Sequence, residues 1–222
     1  MQSSILGVTS ETGLSALFRN ATQAAHKNVE AGLFIKKIFS GAVTREEYHL
    51  YSQALAGLYG ALEKSLGENR EHPGVSRIYF PELLRCEPLH QDLKEWHGAE
   101  TRLPASLKRE IEEIRGYLEQ LGQQDPLLLV AHAYVRYLGD LSGGQALARG
   151  LARRFPEERG FSFYAFPKVG NLDAMKNLYR QRLDEIGRLN PDRCAALAQE
   201  AVDAFELNNR LFSAILSDEP VP

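Results

Sequence analysis

One stretch constrains the rest of the chain: HAYVRYLGDLSGGQALARG, running from His132 to Gly150. Ahead of its first glycine, Leu127, Leu128, Val130, Ala131, Ala133, Val135 and Leu138 leave no turn-forming residue before Gly139, so the segment predicts a helix. Gly139, Gly143 and Gly144 then fall within two turns. Each glycine inside a helix costs about 1 kcal/mol relative to alanine, so three together need a reason. Helical geometry is expected to put Arg136, Gly139, Asp140 and Gly143 on one face. That face would be a bare floor bordered by one guanidinium and one carboxylate, on which a large flat ligand could lie. Close helix–helix packing, or a kink at the glycines, is the other use of the pattern.

Of 222 residues, 44% are hydrophobic, enough for one domain with a full core. We expect that domain to span residues 1–222, with flexible tails at about 1–10 and 218–222. A formal net charge of −3 gives no reason to expect nucleic acid as a partner. The two cysteines, Cys86 and Cys194, stand far apart and in no metal-ligand spacing, which suits a reducing compartment. The first ten residues hold no basic side chain and no long apolar run, and no window approaches the roughly twenty apolar residues of a membrane span. The expectation is a cytoplasmic protein without a membrane anchor, and a monomer, since no coiled-coil seam is visible.

The apolar residues recur at helical spacing almost everywhere. From Gly13 to Ala31, Leu14, Leu17, Phe18, Ala21, Ala25 and Val29 form one stripe, and Arg19, Gln23, His26 and Glu30 run beside it. Thr44 and Glu47 read as a capping box for a helix carrying Tyr48, Tyr51, Leu55, Leu58, Tyr59 and Leu62 as far as Gly67. Residues 72–88 read as irregular, with short helical turns from Leu89 to Trp96. Pro104 opens a helix expected to stop at Gly122, and Asp125 with Pro126 reads as cap and first turn of the central helix, which continues to Arg154. Asn171 caps a helix bearing Lys176 and Arg180, and Asn190-Pro191 starts the last, with Ala201, Phe205, Asn208 and Phe212 on one face. No alternating strand pattern appears. The fold class is all-α, seven or eight helices.

One constellation stands out: a helix histidine, His26; a second helix with a glycine floor; and the cations Arg19, Lys176 and Arg180. Imidazole is a good axial ligand for haem iron, glycines would let a backbone rest against the opposite face, and cations would neutralise two propionates. By itself this is not specific. A histidine on a helix flank is commonly structural, and two cations at i and i+4 can be a solvated face. His132 competes for the ligand role, but it lies about 10 Å along the helix from Gly139 and cannot stand over a ring resting there. His49, His72, His90 and His97 read as solvated surface or loop residues. There is no nucleophile elbow, Walker loop or HExxH pair.

HAYVRYLGDLSGGQ resembles the distal-helix motif of haem oxygenases. The resemblance extends through ATQAAHKNVE around His26, VTREEY, IYFPEL, QDL before Trp96, LYRQR and AFELNNRLF. It implies a single, mostly helical domain with haem between a proximal and a kinked distal helix. His26 matches the iron ligand, and Glu30 the polar residue that orients it. Gly139, Gly143 and Gly144 match the distal backbone over the haem, and Asp140 the carboxylate that organises distal water. Arg136, Tyr59 and Asn208 match a wider hydrogen-bond network, Tyr134, Lys176 and Arg180 propionate contacts, and Phe205 the pocket wall. Arg19 stands where the family commonly has lysine; Gln23 stands where some members have a second one.

The implied reaction is oxidative cleavage of haem at a meso carbon, giving biliverdin, carbon monoxide and ferrous iron from O2 and external electrons. Haem is substrate and cofactor together. Asp140 would deliver a proton through water. Arg19, Lys27, Lys176 and Arg180 at the haem edge suggest a docking patch for an acidic ferredoxin or flavoprotein reductase. A haem-buffering protein without turnover is the main alternative; a thiaminase-like enzyme without haem has no use for an axial histidine.

Overall fold

The computed structural model describes residues 13–96 and 102–216; the expected tails at 1–10 and 218–222, and His97, lie outside the described residues. Every regular element among the described residues is helical. The first, α1 (Leu14–Ala31), turns Leu14, Phe18 and Thr22 inward, as its stripe requires. It ends at Gly32, where the backbone becomes extended, and a second helix, α2 (Leu33–Ser40), follows directly. This helix was not foreseen. Phe34, Ile35 and Ile38 are buried in it, and Gly41 ends it at φ +72°, in the left-handed region that glycine enters without a Cβ clash.

The capping box of α3 (Arg45–Glu68) forms as expected: Glu47 N donates to Thr44 Oγ1 at 3.1 Å and Thr44 N to Glu47 Oε2 at 2.9 Å. Its apolar stripe is buried, but so is His49, contrary to the solvated role expected of it. Burial lowers the proton affinity of that imidazole. Between 72 and 88 the chain is less irregular than expected, with a helical turn α4 (Val75–Ile78) and a 3-10 turn at Pro81–Leu83. Helix α5 (Cys86–Glu95) starts ahead of Leu89. The next, α6 (Ala105–Gln124), runs through Gly122, which is half-buried against Ser65 and Asn69 and does not end the helix.

The central helix comes in parts. A 3-10 turn at Pro126–Leu128 leads into α7 (Leu129–Ala133), a π turn at Tyr134–Leu138, and α8 (Gly139–Arg154). The Asp125 side chain makes no cap hydrogen bond; its carboxylate pairs with Arg193. The departure from α geometry thus lies just ahead of the glycines, a common site of bending; Gly139 itself has helical angles, φ −60° and ψ −51°. Asn171 caps α9 (Leu172–Leu189), accepting from Ala174 N at 2.9 Å. A 3-10 turn at Pro191–Arg193 precedes α10 (Cys194–Ala214).

The buried side chains form one continuous core. Helix α10 packs along α1 and against α6 and α7, α1 also packs on α9, and α3 packs on α6 and α5. Because α10 touches both α1 and the α7–α8 run, it holds these two apart as walls of a cleft. No helix of the described residues is long and apolar enough to cross a membrane.

Candidate functional site

The cleft between α1 and the π turn–α8 segment is a pocket of about 790 Å³, within the usual range for small-molecule sites. From α1 come Arg19, Gln23, His26, Lys27 and Glu30; opposite stand Val135, Leu138, Gly139, Ser142 and Gly143. Tyr134, Arg180 and Phe205 complete the rim. A Cβ added at Gly139 or Gly143 would meet no atom within 4 Å. These glycines therefore do not serve packing against protein; their missing side chains leave room in the pocket.

His26 is oriented from two sides. Glu30 Oε2 lies 3.5 Å from its Nδ1, and the Phe205 ring meets the imidazole edge-to-face at 5.7 Å. Among the described residues Nε2 has no hydrogen-bond partner, leaving it available to a ligand. Tyr134 packs on Phe18 with ring centroids 4.8 Å apart. Burial raises its phenol's proton affinity, and a hydrogen bond with Thr22, Arg180 and Arg19 lower it.

Arg136 and Asp140 do not border the floor. They are buried behind it, because one helical residue advances about 100° and Asp140 therefore points well away from Gly139. Arg136 Nη2 donates to Asp140 Oδ1 at 2.9 Å, Nη1 to Asn208 Oδ1 at 3.0 Å and Nε to the Tyr59 hydroxyl at 3.2 Å. Tyr59 donates its own proton to Asp140 Oδ2. Burial pushes the Asp140 carboxyl up from its ordinary range, while Arg136, Tyr59 and Arg85 pull it down. The same burial works against the Arg136 charge, but Asp140 and Tyr59 outweigh it and hold the guanidinium protonated.

Two expected pocket residues lie elsewhere. Gly144 is buried, and a Cβ there would be 3.3 Å from Tyr164 Cδ1. It is a packing glycine, five residues and so about 140° round the helix from Gly139. Lys176 is off the wall, paired with Asp173 Oδ1 at 2.6 Å. His132 is buried against Glu200 Oε1 at 2.6 Å, outside the pocket, as its rejection as a ligand requires.

Sequence reading missed a layer behind Asp140. Glu63 accepts from Cys86 N at 3.1 Å, from Arg85 N, and from the Tyr137 hydroxyl at 3.4 Å. Arg85, buried, donates to the carbonyls of Leu83 at 3.0 Å and Phe163 at 3.2 Å and stacks on Phe166. Tyr51 belongs to the same layer: burial pushes its phenol up to about 12, the charge of Arg136 opposing the shift and that of Asp140 adding to it. The i,i+4 spacing of Tyr59 and Glu63 was the available signal.

The described residues hold no cluster of three or more metal-ligating side chains, so a metal here would bring its own coordination sphere and take one imidazole. A flat iron macrocycle fits: one free imidazole nitrogen on one wall, open space over two glycines on the other, and cations at the rim.

This helical frame, with a histidine facing a bare helix, defines a haem-protein class of site. Comparison with known proteins agrees. The family model described as "Heme oxygenase" matches residues 12–214. The heme oxygenase of Takifugu rubripes is 38% identical over 211 residues, covering 91% of this chain and 74% of that protein. Heme oxygenase 1 of Homo sapiens is 35% identical over 207 residues, covering 91% and 71%. Two other animal relatives, from Macaca fascicularis and Oryctolagus cuniculus, are spanned over 65% and 66% of their length. Among solved structures, heme oxygenase-1 of the cyanobacterium Synechocystis in complex with heme superposes with a TM-score of 0.83 at 32% identity, covering 91% of each chain. The heme oxygenase of Leptospira interrogans does so with 0.83 and 32%, covering 91% of this chain and 99% of that one. The chain belongs to the haem oxygenase family.

Proposed function

We propose that the protein binds haem between His26 and the Gly139–Gly143 floor and degrades it to biliverdin, carbon monoxide and ferrous iron, acting as a single-domain monomer. The observation that carries this is the pairing of a free His26 Nε2 with two glycines whose Cβ positions are empty, in a chain of this family. When bound, haem supplies both the iron that activates O2 and the meso carbon that is oxidised.

The residues divide the remaining work. His26 would hold the iron through its imidazole, aligned by Glu30 and Phe205; unlike a thiolate, it would not push strongly toward O–O cleavage. Arg19 and Arg180 neutralise the propionates at the rim. The apolar Val135 and Leu138 keep bulk water from the reacting edge. Among the described residues no acid–base side chain borders the floor at Gly139 and Gly143, so Asp140 acts from behind it, relaying a proton through water. Tyr59, Arg136 and Asn208 fix the carboxylate for that task.

Arg180→Ala is expected to broaden the biliverdin isomers formed, because one propionate loses its anchor and the ring can rotate in its plane. Chromatography of the product reads this directly; an unchanged single isomer would remove Arg180 from the role. Gly143→Ala should stabilise the haem-free protein by about 1 kcal/mol, the helix-propensity difference, since its methyl group meets no protein atom. The same methyl should weaken haem binding. A variant that melts higher and still binds haem as tightly would show that the floor does not touch the ligand.

Electrons come from an acidic ferredoxin or flavoprotein reductase docking near exposed Lys27 and Arg19. Lys27→Glu is expected to slow donor-dependent turnover several-fold at low salt while leaving turnover with a small chemical reductant intact. Equal rates with both would place the donor elsewhere. Free Cys86 and Cys194 suit a reducing compartment.

A further inference from the structure

Helix α1 has no cap of its own. Gly13, at its N-cap, is extended with φ −61° and ψ 156° and offers no side chain, so the first-turn N–H groups need other acceptors. Ala16 and Leu17 turn back to the Gly13 carbonyl at 3.1 and 3.0 Å. Ser15 instead donates its N–H to Asp184 Oδ1 at 2.8 Å, a carboxylate that comes from α9. Negative charge there also meets the positive end of the α1 dipole.

Glycine makes the contact possible from both helices. A Cβ at Gly13 would stand 2.4 Å from Asp184 Oδ1 and 2.6 Å from its Cγ. On α9, a Cβ at Gly187 would stand 2.8 Å from Leu14 Cβ. Two absent methyl groups let the start of α1 close on α9 around one carboxylate.

The contact lies one helical turn from each of two cations of the pocket. Arg180 precedes Asp184 by one turn of α9, and Arg19 follows Ser15 by one turn of α1. Ser15, Ala16, Arg19 and Arg180 all line the pocket. We propose that Asp184 is a positioning residue for the haem oxygenase reaction: by clamping the first turn of α1 to α9 it sets the separation of Arg19 and Arg180, and through them the in-plane orientation of the tetrapyrrole that decides which meso carbon is oxidised. This rests on the haem-cleaving function proposed above. A gap between two surface helices becomes a determinant of regiochemistry.

The test compares Asp184→Ala, Asp184→Asn, Gly13→Ala and the Gly13→Ala/Asp184→Ala double variant with wild type. Binding is read without turnover by fluorescence titration with zinc protoporphyrin, and the isomers by chromatography after turnover of haem with a chemical reductant. Asp184→Ala should weaken zinc protoporphyrin about five- to ten-fold, the scale of one ordinary hydrogen bond, and change the isomer composition. Asp184→Asn keeps an oxygen for the Ser15 N–H and should retain the wild-type isomers. Gly13→Ala should reproduce Asp184→Ala by displacing the carboxylate, and should add nothing in the Asp184→Ala background. If Asp184→Ala fails to fold, Gly13→Ala and Asp184→Asn still decide.

Affinity and isomers unchanged in Asp184→Ala or Gly13→Ala, even with a lowered melting temperature, would overturn the proposal and leave a purely structural cap. So would an Asp184→Asn variant as altered as Asp184→Ala. Wild-type protein that binds neither zinc protoporphyrin nor haem would overturn the haem reading itself, a result distinct from either of these.

Discussion

Asp140→Ala is expected to lower biliverdin formation by about a hundred-fold or more, the lower range for loss of a positioned proton donor, while haem still binds. Binding survives because Asp140 lies behind the pocket wall and not in it. The proton path does not survive, because Tyr59 and Arg136 both converge on this carboxylate and, among the described residues, no titratable side chain stands on the floor to replace it. The alanine variant also leaves the buried Arg136 without its carboxylate, which costs about 3–5 kcal/mol in comparable cases. Asp140→Asn, which preserves the packing, therefore separates chemistry from folding. Burial raises the carboxyl's proton affinity, so the Asp140-dependent part of turnover should fall as pH rises through its titration range, and both variants should lose that limb. Normal biliverdin yield from Asp140→Asn would exclude the residue from proton delivery.

His26→Ala is expected to be the second large effect. The side chain of His26 is 55% exposed, so its removal should scarcely change the stability of the haem-free protein. Haem affinity should fall by more than the roughly ten- to hundred-fold that changes around a metal ligand produce, and turnover should be lost with the proposed iron ligand. Added imidazole should restore part of the bound-haem spectrum, since the cavity left at the end of α1 is open to solvent. An unchanged spectrum and rate in His26→Ala would move the ligand to another residue.

The helices that were legible in the sequence are those long enough to repeat their apolar stripe several times. α1, α3, α6, α9 and α10 each run for 18 residues or more, and the Thr44 and Asn171 caps carry their hydrogen bonds in local spacing. Helix α2 was not legible because LFIKKIFS spans only about two turns, too few to repeat its apolar stripe. The π turn at Tyr134–Leu138 was hidden for a different reason: the glycines advertise irregularity, yet it falls on a run of strong helix and aromatic residues before them.

The site divides in the same way. His26, Glu30, Arg19, Gly139 and Gly143 reach the pocket as expected, because each lies on a helix wall whose direction the local stripe determines. Arg136 and Asp140 were expected at the floor and are found behind it, where α3 and α10 supply Tyr59 and Asn208. That distinction depends on which helices pack behind α8, a tertiary fact. Gly144 illustrates it most simply. Three glycines in six residues look alike in sequence, but one of them meets Tyr164 and two meet open space.

The most direct measurement is an anaerobic haem titration followed by aeration with a reductant, observed by absorption. We predict a Soret band that saturates at one haem per chain, then decays as the biliverdin band rises. A Soret band that persists through aeration with a competent donor would contradict haem degradation and leave a haem-buffering protein; no Soret shift at all would contradict the His26 site.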